Sequence, residues 1–194
     1  MTDLSGDKER GIVFDCFGVL YLDTHRSLLD AVTIDKHAEL SDIFRANNYG
    51  YFTHADYIDR VADLTSMTAE QVEDYMLHEH QLNTKLIDYI RNELRPTTRV
   101  GLLTNMGRGW IDSFFSRHDL HDLFDAQVIS GEVRAVKPFP EVYELICAEL
   151  CLPPESCVHI DDIEDNCRGA EAIGMKSVHF RTTQQCMADI QKLI

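Results

Sequence analysis

The chain has 194 residues and a mass of 22.2 kDa, room for one domain of ordinary size plus a modest insertion, and its 44% hydrophobic and 26% charged residues suit a globular protein rather than a disordered one. A formal charge of −15, from 33 acidic against 18 basic side chains, repels phosphate backbones and anionic lipid, so neither nucleic acid nor a membrane is expected as partner. A small anionic substrate stays open, because a local cluster of cation, metal and backbone amides overcomes a field that salt screens beyond about 8 Å.

The six cysteines include no Cys-x-x-Cys pair and read as buried thiols in a reducing, cytoplasmic compartment. His78-x-His80 and His118-x-x-His121 lack a Cys or carboxylate at ligand spacing and read as polar helix faces. The first ten residues are polar, carry no leader-like apolar stretch and are expected to fray, and no run reaches membrane-spanning length.

The stretch 11–20, Gly-Ile-Val-Phe-Asp-Cys-Phe-Gly-Val-Leu, sends the strand formers Ile12, Val13 and Phe14 into a carboxylate, Asp15, with Gly18 three residues on to let the backbone turn away. This reads as a buried parallel strand carrying an acid to its carboxyl end, where open α/β sheets bind ligands; taken alone, Asp15 is as readily a turn cap. Residues 21–95 show no clear strand. They hold helices over 35–45 and 53–64, a capping box Thr68-Ala-Glu-Gln71 ahead of Val72, Tyr75 and Met76, and a helix capped by Asn83 with Leu86, Ile87, Ile90 and Leu94 at helical intervals before Pro96. The expectation is a small all-helical cap, 21–95, inserted between two pieces of a core, 1–20 and 96–194.

From residue 99 the rhythm changes. A second strand, 99–105, ends in Thr104 and Asn105, and a glycine turn leads to a helix whose apolar face carries Trp110, Ile111, Phe114 and Phe115. A third strand, 126–130, precedes Lys137-Pro138 and a helix over 141–150. A fourth, 157–162, ends in Asp161 and Asp162 before a helix that Gly174 stops, and a fifth, 176–180, precedes a terminal helix. Strands alternating with helices predict an α/β fold, a doubly wound parallel sheet with right-handed crossovers.

Four strand ends thus supply Asp15, Thr104 with Asn105, Lys137, and Asp161 with Asp162. Each has an ordinary explanation: Thr104 as a strand terminus, Lys137 as a solvated charge, the aspartate pair as a helix N-cap. Parallel topology brings all four to one edge, and adjacent aspartates repel unless a cation or lysine lies near, so the set asks for a divalent metal.

The motifs in this order, Phe-Asp-Cys-Phe-Gly-Val-Leu, Leu-Leu-Thr-Asn, Val-Lys-Pro-Phe-Pro-Glu-Val-Tyr and Ile-Asp-Asp-Ile-Glu-Asp-Asn-Cys-Arg-Gly-Ala, resemble those of the haloacid dehalogenase (HAD) superfamily, in the branch with a helical cap after the first motif, over about residues 11–180. The last two are similar to those of sugar-phosphate phosphatases and of the N-terminal phosphatase domain of soluble epoxide hydrolases. The resemblance implies a Rossmann-like HAD core and Mg²⁺-dependent hydrolysis of a small phosphorylated metabolite, a sugar phosphate foremost, through an aspartyl-phosphate on Asp15. It implies Mg²⁺ on Asp15, the Phe17 carbonyl and Asp162, with Asp161 behind them or acting through water. Thr104 and the amides around Phe17, Gly18 and Asn105 would bond the transferring group, and Lys137 would neutralise its charge. Asp165 and Asn166 are expected to cap and orient the following helix, and the protein to be a monomer or homodimer.

One departure matters. Phe17 stands where most phosphatases of this superfamily carry a second Asp, general acid for the leaving group and then base for water. A phenyl ring does neither, which predicts slow cleavage of simple alkyl phosphates, by the ~10²–10⁴-fold that acid–base catalysis supplies. A 2-haloacid dehalogenase, aromatic at this position, is the enzymatic alternative because halide leaves without a proton. Those enzymes carry uncharged Ser and Asn where this chain has Asp161 and Asp162, whose charge repels a carboxylate substrate. The remaining alternative is a catalytically idle HAD-fold binding or regulatory protein. The cap is expected to set specificity by closing over the sheet edge, with Tyr49 and Tyr51 shaping the pocket or merely packing the cap. Asp23, His25 and Arg26 follow the first motif, and Arg134 offers a second cation near Lys137 or is simply solvated.

Overall fold

The computed structural model describes residues 8–23, 28–78 and 80–194. The expected fraying of the first residues therefore falls, for 1–7, outside the described residues, as do His25 and Arg26. The chain opens with β1 (Gly11–Phe14) and the three-residue β2 (Tyr21–Asp23), passes through α1 (His37–Asn48), α2 (His54–Thr65) and α3 (Ala69–His78), and returns by β3 (His80–Leu82). It then enters α4 (Thr84–Tyr89), which runs on into a π-helical turn, Ile90–Leu94. Strands and helices alternate from there: β4 (Arg99–Thr104), α5 (Ile111–Ser116), β5 (Ala126–Ile129), the single turn α6 (Ser130–Val133), α7 (Pro140–Glu149), β6 (Cys157–Asp161), α8 (Glu164–Ala172), β7 (Lys176–His179) and α9 (Thr183–Leu193).

As the alternation predicts, β1, β4, β5, β6 and β7 form one parallel sheet, in the order β5-β4-β1-β6-β7. β1 is central and wholly buried because the sheet carries an apolar layer on each face. Alternate side chains serve the two layers: Ile12 and Phe14 join Val100, Leu102, Val158 and Ile160 under α5 and α9, while Val13 joins Leu103, Val128, Val142 and Ile146 under α7. Truncating a buried ring such as Phe14 to alanine costs about 3–5 kcal/mol.

The segment between β1 and β4 departs from expectation twice. β2 and β3 pair antiparallel, Tyr21 opposite Leu82 and Asp23 opposite His80, and so bring the two ends of the segment together. Strands of three residues leave no alternating pattern to read; a partner far along the chain makes them strands. The helix capped by Asn83 packs with the sheet layer, burying Leu86, Ile87, Ile90 and Leu94 near α9 and β4, so the expected boundary at 95 falls after a helix that belongs to the core by packing. By contrast α1–α3 pack on one another and meet the core at the loops after β4 and β5, where the Ser130 hydroxyl donates to the Asn48 carbonyl at 2.7 Å.

Local signals held where they were local. The Asn83 side chain accepts from the Leu86 N–H, Thr68 and Gln71 form their reciprocal box at α3, and Thr53 with Asp56 forms another at α2. Among the described residues no helix is long and apolar enough to cross a membrane.

Candidate active site

Register places the acids. Phe14 pairs with Leu102 on one side and Ile160 on the other, so Asp15 and Asp161 are the next residues on adjoining central strands, and the Asp15 N–H donates to the Ile160 carbonyl at 2.9 Å. Lys137 arrives from the loop between α6 and α7. The Asn105 side chain clamps that loop from the end of β4: its amide donates to the Lys137 carbonyl at 3.1 Å and its oxygen accepts from the Lys137 N–H at 2.9 Å. Lys137 is joined to Pro138 by a cis peptide bond. Its ammonium ends between the two acids, 2.8 Å from Asp15 Oδ1 and 2.6 Å from Asp161 Oδ2. At 4% exposure Lys137 is a buried charge, not a solvated one.

Asp161 is saturated. Oδ1 accepts from the Ile163 N–H at 2.9 Å and the Asn166 amide at 3.0 Å, and Oδ2 accepts from Lys137 and lies 3.1 Å from His159 Nε2. Four donors occupy the four lone-pair directions of a carboxylate, so Asp161 acts on the edge by holding Lys137 and the start of α8 in place. Burial lowers His159, whose ring is therefore neutral and donates an N–H to Asp161 rather than pairing as an ion. Burial opposes charge on Asp161 as well, yet the hydrogen bond from His159 and the charge of Lys137 hold it well below the usual carboxylate range. On Lys137 burial is likewise outweighed by Asp15 and Asp161, which raise its pKa. Asp15 goes the other way: burial pushes it up to about 7 even with Lys137 beside it, and Asp161 adds to the rise.

Asp162 sits under the turn that follows Asp15. Gly18 has φ +77°, and a Cβ there would stand 2.4 Å from the Asp162 carboxyl carbon, so only glycine permits that carboxylate to lie against the turn whose preceding carbonyl belongs to Phe17. Asp15, Asp161 and Asp162 can each bring one oxygen within 4.8 Å of the others. Three carboxyl groups gather round the single ammonium of Lys137, a set of hard oxygens that suits Mg²⁺. Thr104 supports the same fit from the substrate side: it is 1% exposed, and its Oγ1 is buried with no hydrogen-bond partner among the described residues.

Other expected residues are placed differently. Tyr49 lines a cleft with Asn105, Lys137 and Phe139, whereas Tyr51 is 68% exposed and stacks on the Tyr49 ring at 5.8 Å. Arg134 is exposed, beyond the end of α6. Asp165 and Asn166 do not cap α8, which starts without a side-chain cap; Asn166 turns inward to Asp161 and Asp165 pairs with Arg168 on the surface. His80 lies in β3 rather than on a helix face, and its ring packs on Phe17 at 4.6 Å. Beside Phe17 opens a cavity of about 410 Å³ between α1–α3 and the start of α5, walled by Phe17, Phe44, Tyr57, Met76, Trp110 and Phe114. Sequence reasoning missed His159 and this cavity. A histidine two residues before Asp161 in an apolar strand shares its face, which is a readable signal; the cavity had none, because its walls come from segments far apart in the chain.

A parallel sheet that ends its central strand in a buried carboxylate, at the point where connections leave in both directions, places the protein among the Rossmann-like α/β enzymes. The family model of haloacid dehalogenase-like hydrolases matches residues 9–174, and the protein belongs to that family. Among curated relatives, human N-acylneuraminate-9-phosphatase is 30% identical over 100 residues, 51% of this chain and 40% of that protein, and the chain spans less than half the length of the curated relatives it matches first. Among solved structures, a HAD-like family hydrolase from Porphyromonas gingivalis superposes with a TM-score of 0.77 at 24% identity, covering 96% of this chain and 98% of that one. A HAD family enzyme from Bacteroides thetaiotaomicron, crystallised with magnesium and inorganic phosphate, gives 0.72 at 19% identity over 89% of this chain and 94% of that one.

Proposed function

We propose that the protein is a Mg²⁺-dependent phosphatase that hydrolyses a small phosphorylated metabolite through an aspartyl-phosphate on Asp15. The observation that carries this is the Lys137 ammonium shared by Asp15 and Asp161, at 2.8 and 2.6 Å, beside a third carboxylate that leaves room in charge for a dication. Asp15 Oδ1 accepts from the Cys16 N–H at 2.6 Å and from Lys137, which leaves Oδ2 with no donor among the described residues and available as nucleophile. Asp15, Asp162 and the carbonyl of Phe17 would hold the metal, with Asp161 behind them. When bound, Mg²⁺ supplies charge neutralisation to the phosphoryl oxygens. Thr104 Oγ1 and the amides after Phe17 and at Asn105 offer hydrogen bonds to the transferring group, and Lys137 offers charge. Water then hydrolyses the acyl phosphate and returns the Asp15 carboxylate.

The name of the human relative is in keeping with phosphatase chemistry and with the sugar phosphate that the motifs suggest; the walls beside Phe17 favour a less polar leaving group. The working form is a monomer or homodimer in the cytoplasm that binds neither nucleic acid nor membrane, a reading supported by six free thiols and the acidic surface. Phosphate release from a panel of phosphorylated metabolites, with Mg²⁺ and with chelator, tests the proposal, and Asp15→Asn should abolish it while the circular dichroism spectrum is retained. The Phe17 ring, half-buried where an acid would stand, favours one second reading, a dehalogenase, which metal-independent halide release from chloroacetate would select. Silence on both would leave the idle binding protein.

A further inference from the structure

Two residues after Asp15, where an acid is missing, the Phe17 ring packs 4.6 Å from His80 and 5.2 Å, edge-on, from Phe114. These rings are one wall of the cavity of about 410 Å³, and no Asp, Glu, Lys or Arg lines it among the described residues. One of the polar side chains in it is fully committed: Asn105 has both ends of its side chain on the Lys137 backbone. A sugar carries a hydroxyl on most of its carbons, and each one buried without a partner costs about 1–3 kcal/mol. An aromatic ring has no such requirement. An apolar cavity of about 150 Å³ takes up benzene, so this one has room for one or two fused rings. Trp110, in the same wall, is 2% exposed and its indole N–H meets no acceptor among the described residues, so an oxygen on the bound ring system would satisfy it.

The chemistry reaches the same class independently. Phenylalanine at position 17 has no proton to give the departing oxygen, and no Asp, Glu, Lys or Arg lines the cavity beside it among the described residues. An aliphatic alkoxide then leaves poorly, but a phenol, with a pKa of about 10 against about 15.7 for water, leaves as phenolate unaided.

From these two observations we infer that the substrate is an aryl phosphate, the phosphate monoester of a one- or two-ring phenol, with its rings in the cavity beside Phe17. The inference rests on the phosphatase reading of the same site. Asp15 Oδ2 bonds to phosphorus as the phosphorus–aryl oxygen bond breaks, and the electron pair leaves on the phenolate, which takes a proton from solvent. Water attacks the phosphorus of the aspartyl-phosphate, the bond to Asp15 breaks, and a hydroxyl stays on the phosphate, so that ArOPO₃²⁻ and H₂O give ArOH and HPO₄²⁻.

The test compares 1-naphthyl phosphate, glucose 6-phosphate and acetyl phosphate on the full chain with Mg²⁺. Acetyl phosphate has a good leaving group and no ring, so it reports on phosphoryl transfer alone. In parallel, 1-naphthylmethylphosphonate, which cannot be hydrolysed, is titrated against the fluorescence of Trp110, the sole tryptophan of the chain. The expected result is a kcat/KM for 1-naphthyl phosphate at least about 100-fold above that for glucose 6-phosphate, the low end of what an absent general acid costs. It is joined by saturable quenching of Trp110 that methylphosphonate does not produce. Turnover of acetyl phosphate and glucose 6-phosphate without preference for the naphthyl ester, or without quenching, overturns the aryl assignment and leaves the phosphatase standing. No phosphate from any of the three, acetyl phosphate included, overturns the phosphatase and the aryl assignment together.

Discussion

Replacing Lys137 by methionine tests the electrostatic centre of the molecule. The ammonium is 1% exposed at its side chain and neutralises two buried acids at once, so its loss leaves Asp15 and Asp161 facing each other in a poorly solvated site. Removing one partner of a buried ion pair costs about 3–5 kcal/mol, against about 0–1 kcal/mol for an exposed pair. For a chain of this size that is a fall in Tm of roughly 6–20 °C, at 2–4 °C per kcal/mol. Urea unfolding in chelator, which keeps adventitious metal from replacing the lost charge, gives the number directly. Lys137→Met and Asp161→Asn should also couple, the double variant losing about 0.5–3 kcal/mol less than the sum of the singles. A loss below about 1 kcal/mol for Lys137→Met, or strict additivity, would refute the account of a shared buried cation.

Gly18→Ala forces a left-handed residue to carry a Cβ, at about 1–2 kcal/mol, and drives that carbon into Asp162. The Mg²⁺ concentration needed for half-maximal activity should rise, and an unchanged requirement would dissociate Asp162 from the metal. Phe17→Asp restores an acid and should raise turnover of alkyl phosphates toward the ~10²–10⁴-fold that such a group supplies, while gaining little on aryl esters. No gain on alkyl phosphates would count against the missing acid as the cause of their slow cleavage. At α2 the Thr53 hydroxyl and N–H hold the Asp56 carboxyl below its ordinary value. A lowered folded pKa means the box contributes above the unfolded aspartate pKa and is lost as pH falls through the folded one. Amide-exchange protection factors in the first turn of α2, taken relative to the intrinsic rate at each pH, should therefore fall on acidification in the wild type, and Asp56→Asn should flatten that dependence.

Much of the site was legible because it is encoded locally. Asp15 at the end of an apolar run, Thr104 after another and Asp161-Asp162 after a third are strand-end signals, and parallel topology alone brings strand ends to one edge. The capping boxes and the Asn83 cap were legible for the same reason: donor and acceptor lie within three residues of each other. Where expectation and structure part, the deciding contact is distant. The 21–23 and 80–82 stretches become strands by pairing with each other, and the helix over 84–94 joins the core by packing against α9 and β4.

By itself, then, the order of residues determined the parallel sheet, the identity of the acids at its edge and the absence of a proton donor at Phe17, since these depend on periodicity and on what one residue can do chemically. Tertiary structure alone decided that Lys137 bridges two acids, that His159 and Asn166 fill the remaining valences of Asp161, and that Phe17 is the wall of an aromatic cavity. Desolvation and side-chain packing are properties of what surrounds a group, and those surroundings are assembled from parts of the chain whose sequence carries no mark of their meeting.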